Sequence, residues 1–185
     1  ESSYGLSKFI SAKEQVYGTK KNDCEFLFNL ETKTFFENKI KILKLAAKKL
    51  SGVVFGRVDY CSSLGKSRNF INDKRITKDV IEVSSYAKKY ELDVVVGGGV
   101  SFHSIPALIK IKKTLLSRFE TRKIIFSSAS LENKNLSEGL LRAVQFELDW
   151  LKNKRNFYKE IYIEDSKRIK MLETRWKKLI SKKVQ

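Results

Sequence analysis

Four short, strongly apolar runs, spaced by stretches of helical periodicity, limit the folds open to this chain. The runs are CEFLFNLET (24–32), GVVFGRVD (52–59), LDVVVGGG (92–99) and RKIIFSS (122–128). Each reads as a strand, and near-continuous apolar character fits strands covered on both faces. Between them the pattern predicts helices over 35–50, 77–90 and 104–117, preceded by one over 3–17. Phe36, Ile40, Leu43 and Ala47 recur at helical spacing, Thr77 or Asp79 is an N-cap candidate, and Pro106 suits a first turn. No hairpin signal joins the strands, so the alternation implies parallel βα units and an α/β fold. After Ser130 the chain turns helical. Asn135 and Glu138 form a capping-box-like start, and Leu136, Leu140, Val144, Leu148 and Leu151 make an apolar stripe. A last helix is predicted from about 156 to 180, with Ile161, Ile169, Leu172, Trp176 and Leu179 on its apolar side. The expected organisation is therefore a βα domain over 1–130 and a helical extension over 131–185, packed on that domain or on a neighbouring subunit.

The 185 residues suffice for a real core, and no apolar run is long enough to span a membrane. Cys24 and Cys61 lie far apart and form no CxxC or zinc-finger spacing; free thiols point to a reducing, cytoplasmic setting. The chain starts with Glu1, as a processed or truncated product would. A net charge of +17 invites nucleic acid as a partner. However, the cations are 29 Lys and only 9 Arg, spread along the chain opposite apolar helix positions. Base readers favour the planar Arg fork, so a solvated Lys-rich surface is the stronger account and nucleic acid is not the expected partner. The densest basic cluster runs from Arg175 to Lys183.

In parallel α/β folds chemistry gathers at the carboxyl ends of strands. Strand alternation puts Leu27, Asn29 and Glu31 on one face, and Phe55, Arg57 and Asp59 on one face of the next strand. Glu31 and Asp59 then meet at one rim, where a hard divalent cation, Mg²⁺ or Mn²⁺, would relieve their repulsion. Alternatively, Asp59 pairs with Arg57 or caps the following loop, and Glu31 caps the next helix. GGG at 97–99 is either an anion-binding loop or a close packing contact. His103 is an acid–base candidate or a loop hydrogen-bonding residue, and Cys61 a nucleophile or a lining residue. Ser62 and Ser63 are placed to position the loop after Asp59, and Glu120 and Arg122 are expected at the amino end of the last strand.

FNLET, followed 28 residues after its Glu31 by the Asp59 of GRVDYCSSLG, resembles the HpcH/HpaI aldolase and citrate lyase β-chain family. There an ET pair ends one strand, and an Asp in a G-x-x-D-(aliphatic)-S-x-x-(aliphatic)-G turn ends the next. Here Tyr60 and Cys61 replace the usual aliphatic residue and small residue. The opening ESSYGLSKF also resembles the family's segment after its fourth strand. The resemblance covers residues 1 to about 128. It implies the C-terminal half, about strands five to eight, of a (β/α)₈ TIM barrel followed by a helical tail. It implies a metal-dependent carbon–carbon lyase or aldolase, handling a 2-oxo acid such as pyruvate or a citrate-lyase-like acyl substrate, within a homo-oligomer. Glu31 and Asp59 would be the ligands of Mg²⁺ or Mn²⁺. Asn29 would hydrogen-bond near the substrate, and the backbone N–H groups of Gly56, Arg57 and Val58 would cradle its carboxylate. The Arg57 side chain would balance the anionic site or form a structural salt bridge. The keto-polarising arginine and the general base would lie upstream of Glu1, leaving this portion catalytically incomplete alone. Two further alternatives stand beside the lyase: a nucleic-acid-binding module and a non-catalytic scaffolding half barrel.

Overall fold

The computed structural model describes residues 3–18 and 24–183. Five strands form one sheet in the order β1 (Leu27–Leu30), β2 (Gly52–Gly56), β3 (Asp93–Gly97), β4 (Arg118–Glu120) and β5 (Ile125–Ser127). The first four are parallel; β5 returns antiparallel along β4, with Phe119 opposite Phe126. The fold is thus α/β with a mostly parallel sheet whose spatial order follows the chain.

The connections are helical. α1 (Ser3–Tyr17) precedes β1; α2 (Lys33–Glu37) and α3 (Lys39–Ala46) lead to β2. α4 (Arg57–Ser63) and α5 (Lys74–Lys89) lead to β3, and α6 (Ile105–Lys112) to β4. One sheet face carries Phe28, Leu30, Val53, Phe55, Val94, Val96 and Phe119, all buried. It shares a core with Ile42 and Leu43 of α3, Val80 and Val83 of α5, and Leu108 and Ile111 of α6. Burial of such aliphatic and aromatic side chains contributes roughly 1.5–3 kcal/mol each, the main term holding the layers together.

Several elements differ from the sequence-based expectation. The fourth parallel strand is β4, RFE, one short step upstream of the expected 122–128 run. That run supplies β5, folded back through a tight turn in which Thr121 N–H donates to the Ile124 carbonyl. A hairpin therefore exists where none was expected, because its turn uses Thr121 to Ile124 and not the Gly or Asn that signals one. The helix expected over 35–50 breaks at Asn38, whose side chain donates to the Thr34 carbonyl. The N-cap of α5 is Asp73, accepting from Arg75 N–H, and neither Thr77 nor Asp79. The two expected tail helices are a single one, α7 (Leu136–Lys183); residues 152–156 hold neither Gly nor Pro to end it.

The chain divides into two units, Glu1–Ala143 and Val144–Gln185. Leu136, Leu140 and Ala143, in the first turns of α7, are buried residues of the first unit. In the second, every large apolar side chain among the described residues is exposed. No helix among the described residues is long and apolar enough to cross a membrane.

Candidate functional site

The second sheet face is built differently from the packed one. It carries Gly52, Gly56 and Gly97, the polar or charged Asn29, Asp93, Arg118 and Glu120, and the apolar Leu27, Val54 and Val95. Gly52, Gly56 and Gly97 supply the space, and three acids lie across them from the neighbouring strand. A Cβ on Gly52 would stand 2.7 Å from the Asp93 Cβ, one on Gly56 2.7 Å from the Glu31 Cγ, and one on Gly97 2.9 Å from a Glu120 carboxylate oxygen. Gly56 and Gly97 are a registered pair, so Glu31 and Glu120 converge over adjacent backbone at the carboxyl end of the sheet.

The two ends of this face differ electrostatically. At the amino end Asp93 is neutralised: Arg118 pairs with it at 3.0 Å and with Glu25 at 3.4 Å, and the Ser117 hydroxyl donates to it at 2.7 Å. The carboxyl end gathers acids. Asn29 Nδ2 donates to Glu31 Oε1 at 2.7 Å. Partial burial, and then the charge of Glu31, push the Glu120 carboxyl above the usual carboxylate range. Beside them lies a cleft of about 330 Å³ whose lining includes Leu6, Phe9, Asn29 and Glu31. Amid a chain of net charge +17, this is a locally acidic rim.

Arg57 and Asp59 do not continue β2 as expected. The strand ends at Gly56 and the chain passes directly into α4, so both lie in the first helical turn. The alternation rule therefore does not apply to them. Asp59 is exposed at the helix N-terminus, where negative charge is favoured by the dipole. Arg57 turns inward and is 1% exposed. Its Nε donates to the Gly97 carbonyl at 3.0 Å, one terminal nitrogen to Asn72 Oδ1 at 2.9 Å, and the other to the Gly98 carbonyl at 3.0 Å and to Ser104 Oγ at 3.4 Å. Among the described residues it has no ion pair with a carboxylate. Burial without a counter-charge lowers its pKa to about 10. The guanidinium thus ties the exits of β2 and β3 together, and the Asp59 pairing left open by the sequence is not formed.

The glycine run serves that same join. Gly98 has φ +81°, and a Cβ there would lie 2.6 Å from the Val58 nitrogen and 2.8 Å from the Arg57 nitrogen. Only glycine permits this approach to the start of α4. The Gly56, Arg57 and Val58 amides form the N-terminal edge of α4, with the Gly98 backbone against two of them. Across the other seam, Lys33 N–H donates to Ser63 Oγ at 2.8 Å, and Ser63 donates to the Tyr60 carbonyl at 2.7 Å. This holds the loop after Glu31 against the helix bearing Asp59. Thr32 and not Glu31 caps α2, accepting from Phe35 N–H at 3.2 Å.

The remaining candidates fall elsewhere. Cys61 is fully buried, and burial pushes its thiol pKa up, the opposite of an activated nucleophile. His103 is exposed and meets the Phe102 ring edge-on. Glu120, expected at the amino end of its strand, stands at the carboxyl end of β4, beside Glu31, and Arg122 lies in the hairpin turn. The signal for Glu120 is the triplet Arg118-Phe119-Glu120 itself, a polar–apolar–polar alternation too short to register as a strand. The opening segment's Glu1 and Ser2 lie outside the described residues.

Among the described residues, no three His, Cys, Asp or Glu side chains come together as a metal cluster. Two carboxylates completed by water are nonetheless a donor set that Mg²⁺ accepts, since that ion commonly keeps several waters. No protein-family model and no curated protein sequence matches this chain.

Proposed function

We propose that the chain carries the metal-binding strands of an HpcH/HpaI-type aldolase or citrate-lyase-like enzyme. In this proposal β1 to β4 are strands five to eight of a (β/α)₈ barrel in a cytoplasmic homo-oligomer. The observation that carries the proposal is the acid-rich carboxyl rim: Glu31 over Gly56, with Asp59 in the first turn of the helix after that glycine. The sequential parallel order of β1 to β4 is the order such a barrel requires.

A divalent cation, Mg²⁺ or Mn²⁺, held by Glu31 and Asp59 would supply Lewis-acid stabilisation of negative charge on the keto oxygen of a 2-oxo acid or on an acyl substrate. Asn29 orients Glu31 through its 2.7 Å hydrogen bond. In this proposal the Gly56, Arg57 and Val58 amides would cradle a substrate carboxylate, those of Arg57 and Val58 being faced by the Gly98 backbone. The Arg57 side chain acts by holding those amides in place through the Gly97 and Gly98 carbonyls.

The test is Mn²⁺ binding, read by electron paramagnetic resonance of the free ion. Wild-type chain should bind one ion. Glu31→Gln and Asp59→Asn should each weaken that binding at least about tenfold, the usual cost of a lost metal-site group. Wild-type affinity in Asp59→Asn removes the proposal.

One observation favours a second account. β5 already pairs with the edge of β4 through which a closed barrel would continue. A sheet edge blunted in this way suits a non-catalytic scaffold. That account expects Glu31→Gln and Asp59→Asn to leave biological function unchanged.

A further inference from the structure

The second unit carries a pattern that the catalytic proposal does not use. Within that unit α7 runs from Val144 to Lys183 with its large apolar side chains exposed, among them Tyr162 at 71% and Trp176 at 65%. A helix with an apolar stripe and nothing against it lacks the burial that stabilises helices in water.

Eight of the exposed apolar side chains between 144 and 176 follow a heptad seam. One set of positions, seven apart, holds Leu148, Arg155, Tyr162, Ile169 and Trp176. The alternate set holds Val144, Leu151, Tyr158, Asp165 and Leu172. Successive seam residues are separated by three and four in strict alternation, the repeat of a left-handed coiled coil. Two charges interrupt it, Arg155 in one set and Asp165 in the other, and both are exposed.

These two charges select the partner and its direction. We propose that the second unit pairs with a second copy of this chain as an antiparallel two-stranded coiled coil, with its two-fold axis at Glu160. In that register Arg155 faces Asp165 of the other copy, and the same pairing recurs across the axis. Every other layer is then apolar or aromatic. Tyr158 meets Tyr162, Leu151 meets Ile169, Leu148 meets Leu172 and Val144 meets Trp176. A parallel pairing would stack Arg155 on Arg155 and Asp165 on Asp165. Sliding the antiparallel pair by one heptad would set each charge against an apolar residue. Like or unpaired seam charges disfavour both arrangements.

The area agrees. Eight apolar seam residues, about half-exposed, offer on the order of 100 Å² each, roughly 800 Å² per copy, which is one partner's share of a standard interface. This inference does not depend on the metal site.

The experiment uses the full chain. Sedimentation equilibrium should give twice the chain mass at micromolar concentration. Arg155→Asp and Asp165→Arg should each weaken the dimer about tenfold or more. The two substitutions together should restore it to within about threefold, because the pair is reversed and not removed. Circular dichroism confirms that each variant keeps its helix. Direction is read independently from a spin label at Thr174→Cys in a Cys24→Ser background, Cys61 being buried. The antiparallel register separates the two labels by about 42 Å along the axis, at 1.5 Å per residue, whereas a parallel pair holds them side by side. A monomer at 100 µM overturns the proposal. So does a double variant as weak as the single ones, or labels at close range.

Discussion

Replacing Arg57 with Met tests the account of the site's scaffold. The side chain is 1% exposed and makes four hydrogen bonds, to the carbonyls of Gly97 and Gly98, to Asn72 and to Ser104. A hydrogen bond to a charged group contributes about 1.5–3 kcal/mol, so four at the lower figure are worth about 6 kcal/mol. Against this stands the burial of an uncompensated charge. The fall of the pKa to about 10 corresponds to about 3 kcal/mol. Met removes both terms while keeping most of the volume, leaving a net loss of about 3 kcal/mol. That is about 150-fold in an opening equilibrium. The assay is native-state hydrogen exchange at the amides of α4 and β3, which the guanidinium joins. Global circular dichroism would be dominated by α7. Arg57→Lys keeps the charge but loses the fork, and its loss should be intermediate, about 2 kcal/mol. Exchange in Arg57→Met within about threefold of wild type would refute the reasoning: the carbonyls would then not depend on this residue.

Gly98→Ala should destabilise by more than about 3 kcal/mol and yield little soluble protein, since its Cβ meets backbone at positive φ. Gly56→Ala meets the flexible end of Glu31 instead; it should fold, with a loss of about 1 kcal/mol by urea titration, and should lose Mn²⁺ affinity because Glu31 is displaced. Glu120→Gln should raise stability at neutral pH by less than about 1 kcal/mol. The native carboxyl has a raised pKa, so the folded state binds more protons, and stability falls as pH climbs from the usual carboxylate range through the folded value. The gain should therefore vanish in urea titrations run below that range. Asp73→Ala, which removes the cap on Arg75 N–H, should cost about 1 kcal/mol in the same titration.

Local periodicity belongs to the order of residues alone, and so do its direct consequences. The runs at 27–30, 52–56 and 93–97 are apolar enough to be strands, and the amphipathic stretches between them bury their apolar faces only as helices packed against them. Parallel pairing and the placing of Asn29 and Glu31 at one rim are set by that alternation. The heptad spacing of the tail is also a one-dimensional property, readable without coordinates.

Where periodicity changes is a matter of long-range contact. The backbone leaves β2 at Gly56 and not at Asp59, because Gly98 lies against the start of α4 and the Arg57 fork is satisfied only from a helical turn. Both contacts reach about forty residues along the chain, beyond any local pattern. The three-residue strand β4 exists because β3 and β5 pair with it on either side, not through its own propensity. Glu120 therefore arrives beside Glu31 from the opposite flank of the rim, brought there by a hairpin whose turn residues carry no turn signal. Short elements are made by their neighbours, and the acids that face each other across this sheet are set by register, which only the folded chain supplies.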